Sequence, residues 1–72
     1  MGSKYPVLKP REIIKALASI GFELVSQKGS HAKYSDGNRI TIIPMHTEVA
    51  KYTLKTILEQ VDISLDEFLK LL

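Results

Sequence analysis

The sequence predicts an α+β domain in which helices cover one face of a three-stranded antiparallel sheet, in the order α-β-β-β-α with an extra C-terminal helix. Three observations carry this. Apolar residues recur at helical spacing near both ends of the chain, as in Ile13, Ile14, Leu17, Ala18 and again in Leu54, Ile57, Leu58, Val61. Short runs rich in β-branched and aromatic residues fill the middle. Gly29-Ser30 and Asp36-Gly37-Asn38 punctuate those runs as tight turns do.

The first helix opens at Lys9-Pro10-Arg11-Glu12, where a proline in the first turn loses no hydrogen bond. Gly21 ends it. Phe22 to Lys28 reads as a strand stopped by Gly29-Ser30, followed by strands from His31 to Ser35 and from Arg39 to Ile43, which Pro44 closes. Thr47 is placed to cap the next helix, whose inward face is Ala50, Leu54, Ile57, Leu58 and Val61. Ser64-Leu65-Asp66-Glu67 is a capping box opening a last helix, with Leu65, Phe68, Leu69 and Leu72 inward.

Seventy-two residues allow one domain, with residues 1–8 a loosely packed lead-in. The composition, 44% hydrophobic and 25% charged, is that of a globular chain and excludes a disordered one. The absence of cysteine excludes a disulfide framework and thiolate chemistry, and fits a cytoplasmic protein. No apolar run reaches the length of a membrane span or a signal-peptide core. Met1-Gly2-Ser3 departs from an N-myristoylation signal at position 6, which is Pro. The net charge of +2 is uneven: eight bases stand against four acids up to Lys51, and two against four beyond. A basic front suits a polyanion partner on one side, although for a net charge of +2 solvated surface is the first reading.

Parity in the sheet assigns residues to faces. A three-residue Asp36-Gly37-Asn38 loop pairs Ser35 with Arg39, Tyr34 with Ile40 and Ala32 with Ile42. Ala32, Tyr34, Ile40 and Ile42 then face the helices, and His31, Lys33, Thr41 and Ile43 lie open. A two-residue loop sets polar residues opposite the core, which favours the three-residue register.

The two histidines, His31 and His46, are the side chains whose ordinary pKa lies nearest neutrality. Gly29 allows close backbone approach ahead of His31, and Lys28 and Lys33 bring positive charge to the same place. These are the parts that acid–base chemistry on an RNA phosphodiester needs, because RNA supplies its own 2′-hydroxyl nucleophile. His31 is the candidate proton carrier. Lys28 and Lys33 are candidate phosphate ligands, with Gly29 and Ser30 offering N–H or hydroxyl donors. His46 is either a second functional group or a residue leading into the helix without a chemical role. Two histidines without a carboxylate or cysteine set make a poor metal site, so no metal or other cofactor is expected.

The order of elements is that of a double-stranded-RNA-binding-domain-like fold, and the chain resembles the HicA toxins, mRNA interferases of bacterial toxin–antitoxin pairs. The resemblance runs from about Lys9 to the C-terminus. It rests on Ile20-Gly21-Phe22, Gly29-Ser30-His31, Ile42-Ile43-Pro44-Met45-His46, Thr53-Leu54 with Ile57-Leu58, and Ile63-Ser64-Leu65-Asp66-Glu67-Phe68. It implies a metal-independent endoribonuclease with His31 as its active histidine and a HicB-type antitoxin as partner. Met45, where many members carry a basic residue, and Tyr52, where they carry glycine, depart from the pattern. Two other readings keep the same fold: a non-catalytic RNA-binding module, for which Lys51 and Lys55 are a thin basic set, and a protein-interaction domain using the open sheet face.

Overall fold

Helix α1 (Pro10–Ala18) starts where Glu12 reaches back to the Lys9 backbone N–H at 2.8 Å, with Pro10 in the first turn. It closes with a Schellman pair: Phe22 N–H donates to the Leu17 carbonyl and Gly21 N–H to that of Ala18, with Gly21 at φ 98°. That turn drops Phe22 into the core beside Leu17. The computed structural model describes residues 5–72, so Met1-Gly2-Ser3 and the first half of the 1–8 lead-in lie outside the described residues. Tyr5 and Leu8 pack against the core, and the Leu8 carbonyl accepts the Val49 N–H at 2.7 Å.

Strands β1 (Glu23–Lys28), β2 (His31–Ser35) and β3 (Ile40–Pro44) form one antiparallel sheet in the order β1-β2-β3. Helices α2 (Lys51–Val61) and α3 (Leu65–Leu69) complete the α-β-β-β-α pattern with its extra C-terminal helix, and the fold is double-stranded-RNA-binding-domain-like. Gly29 takes φ 60° at the first central position of the two-residue β1–β2 turn, a conformation glycine adopts without strain. A bulge interrupts β1 between Leu24 and Ser26. No helix is long and apolar enough to cross a membrane among the described residues.

The register of β2 against β3 corrects the expected one. Ser35 pairs with Ile40, Tyr34 with Thr41, Lys33 with Ile42 and Ala32 with Ile43, so β3 is turned over. Thr41 and Ile43 are buried, at 1% and 0% exposure, while Ile40 and Ile42 stand open at 54% and 38%. Two interactions explain this. The Asp36 carboxylate accepts the backbone N–H groups of Asn38 and Arg39 at 2.8 and 2.7 Å, which draws Arg39 into a four-residue connection. The polar residue this register sends into the core is satisfied there, since the Thr41 hydroxyl donates to Gln60 Oε1 of α2 at 2.7 Å.

Four smaller expectations are corrected as well. Helix α2 is capped by Ala50, with no side-chain bond and not by Thr47, because the Leu8–Val49 bridge keeps the preceding segment extended. Val49, not Ala50, is the buried residue there. Helix α3 is one short turn opened by the Ser64–Glu67 capping box, so only Leu65 and Phe68 point inward and Leu69 and Leu72 are exposed. In α1 the buried set is Pro10, Ile13, Ala16 and Leu17, with Ile14 half-buried and Ala18 exposed.

Candidate active site on the open face of the sheet

The turn at Gly29-Ser30 fixes the parity of β2 from its first residue. Lys28 pairs with His31, and His31 with Pro44, in one cross-strand row; Ser26, Lys33 and Ile42 form the next. Residues directly opposed in antiparallel strands share a face and stand about 4.5–5.5 Å apart, so Lys28 and His31 are immediate neighbours. Lys33 lies two residues along the same strand, about 6–7 Å from His31. Ala32 and Tyr34, between and beyond them, point into the core. His31 and Lys28 are exposed and Lys33 is half-buried, its stem lying between Ser26 and Ile42.

The charge on this face is uncompensated. Among the described residues the ion pairs belong to Arg39, which meets Asp36 at 3.7 Å and Asp62 at 3.6 Å. Lys28 and Lys33 have no carboxylate within ion-pair distance there. The Arg39 and Asn38 N–H groups, with the Arg39 guanidinium beside them, hold the Asp36 carboxyl below its ordinary value of 3.8. Among the described residues no three His, Cys, Asp or Glu side chains converge in a way that could hold a metal ion.

Ser30 and Met45 tie this face to the end of β3. The Met45 N–H donates to the Ser30 carbonyl at 2.6 Å, so the residues just ahead of His31 and His46 are bonded to each other. His46 nevertheless belongs to different surroundings from His31. It lines a groove with Lys9, Pro10, Arg11, Met45 and Thr47, at the start of α1. The structure thus gathers Lys28, Gly29, Ser30, His31 and Lys33 around one turn and strand, and places His46 beside two cations, Lys9 and Arg11, that the sequence does not mark out. Nothing local in Lys9-Pro10-Arg11 signals that meeting, which the Leu8–Val49 bridge creates by tertiary contact.

Residues 10–63 match the family model described as the HicA toxin of bacterial toxin–antitoxin systems. The chain belongs to the HicA toxin family. This puts it on the toxin side of a toxin–antitoxin pair, with an antitoxin as its counterpart. The match contains the sheet and both histidines, and stops before α3. No curated protein matches the chain.

Proposed function

We propose that this HicA family member is an endoribonuclease that cuts mRNA in the cytoplasm without a metal or other cofactor. The observation that carries the reading is the open sheet face, where His31 stands between two lysines that no carboxylate among the described residues neutralises. An RNA phosphate seated there would be held by Lys28 and Lys33, with the Gly29 N–H and the Ser30 N–H and hydroxyl as further donors. The 2′-oxygen attacks phosphorus, the bond to the 5′-oxygen breaks, and the products are a 2′,3′-cyclic phosphate and a free 5′-hydroxyl. His31 carries the proton, taking it from the 2′-hydroxyl or delivering it to the departing 5′-oxygen.

A HicB-type antitoxin would silence the enzyme by covering this face. The corrected register supports that reading, because Ile40 and Ile42 add exposed apolar surface beside Lys33. A stable complex buries about 1,200–2,000 Å² in total.

Incubating the protein with RNA in EDTA tests the activity. Products ending in 2′,3′-cyclic phosphate are expected. Retardation of RNA on a gel without cleavage would identify a non-catalytic RNA-binding module, and neither result an interaction domain.

A further inference from the structure

We propose that the groove between the start of α1 and the connection after β3 is a second phosphate subsite, holding the RNA backbone next to the nucleotide cut at His31. The inference rests on RNA being the substrate and extends it to a surface separate from the His31 face.

The groove has a volume of about 370 Å³. That is near the lower end of the range of about 300–1,000 Å³ for small-ligand sites, enough for about one nucleotide. Its lining is chemically one-sided. Lys9, Arg11 and His46 provide nitrogen donors and Thr47 a hydroxyl, Pro10 and Met45 provide apolar floor, and no acid takes part. Among the described residues neither Lys9 nor Arg11 has a carboxylate within ion-pair distance. The nearby Glu12 is turned onto the Lys9 backbone N–H. That bond takes the Lys9 N–H and Pro10 has none, so an anion here would be held chiefly by side chains.

The position of the groove is what links it to the reaction. Pro44 stands beside His31 in the ladder, and His46 follows two residues later, at most about 7 Å further along the chain. With the cross-strand step of about 5 Å from His31 to Pro44, the span is at most about 12 Å, three to four steps of a stacked strand at about 3.4 Å per nucleotide. The Ser30–Met45 hydrogen bond fixes the groove wall to the turn that presents His31, so the two surfaces keep one spacing.

The experiment measures binding of 2′-O-methyl RNA, which cannot be cut at its blocked 2′-oxygen, across a range of salt concentrations. Oligomers of two and of six nucleotides are compared. The Lys9→Gln/Arg11→Gln protein should bind the six-mer more weakly, with the salt slope flattened by about 1.4 for two lost single-strand contacts. Its affinity for the dimer at the His31 face should be unchanged. Thr47→Glu, which places a carboxylate in the groove without altering α1, should weaken the six-mer in the same way. Cleavage of unmodified RNA by the parent protein is followed in parallel. Parent protein that cuts RNA while all groove variants bind the six-mer like the parent overturns the groove alone. Weakened six-mer binding in the groove variants with no cleavage by the parent supports the groove and overturns the nuclease reading. A parent protein that binds no RNA overturns both.

Discussion

Strand β2 sends alternate residues to two surfaces with opposite obligations. Ala32 and Tyr34 face inward and meet Ile43 and Thr41 of β3 under the helices. His31 and Lys33 face outward and meet Pro44 and Ile42 in water. On the inner side every polar atom must find a partner, and Thr41 does so through Gln60. On the outer side the lysines are left without carboxylate partners among the described residues. Burial rewards satisfied groups, whereas binding a phosphate requires groups still free to bond. A strand with period two keeps these demands one residue apart.

The comparison breaks if either face fails to separate stability from activity. The largest effect is expected at His31. His31→Ala should lower RNA cleavage by about 10² to 10⁴, the usual contribution of one positioned acid–base group, with stability changed by no more than about 0.5 kcal/mol. Ile43→Ala, one cross-strand position away on the other face, should cost about 2–5 kcal/mol of stability. Paired cleavage assays and denaturant titrations check both. A His31→Ala protein that cuts at the parental rate, or one that unfolds like Ile43→Ala, removes the division.

A smaller and sharper test uses the Thr41–Gln60 bond. Thr41→Val removes the buried hydroxyl with its need and should cost about 0.5–1.5 kcal/mol, the net worth of one hydrogen bond. Gln60→Ala leaves the Thr41 hydroxyl buried without its partner and should cost about 1–3 kcal/mol. The exposed residue is therefore expected to be the more damaging one to remove. Denaturant midpoints in the reverse order would mean that water reaches Thr41.

The smallest effect concerns acid. The folded state holds the Asp36 carboxyl below its ordinary 3.8, so its contribution to stability is complete above that value and is lost as pH falls through the lowered one. Asp36→Asn cannot titrate and should show a flatter decline of melting temperature in that acid range. Parallel curves for the two proteins would show that the turn is not what acid weakens.

Much of this division was legible in the chain. The order of elements followed from Pro10, Gly21, Gly29 and the Ser64–Glu67 box, all of which act locally. The outward placement of His31 and Lys33 followed from their alternation with the apolar Ala32 and Tyr34. The face of β3 was misread because it depended on a partner 19 residues away: a threonine looks costly in a core until Gln60 is known to reach it. The groove around His46 was beyond local reading for the same reason, since Lys9 and Arg11 meet it only once Leu8 bridges Val49.

The bulge in β1 allows one short strand to serve both surfaces. Phe22 and Lys28 stand an even number of positions apart, so an unbroken strand would deliver them to the same side. The extra residue between Leu24 and Ser26 shifts the phase once, sending Phe22 into the core while Lys28 stays beside His31. Removing Val25 would force the chain to choose between an anchor for its fold and a cation for its substrate. A change of one residue in length at this point is therefore a graver alteration than most changes of residue type along the strand.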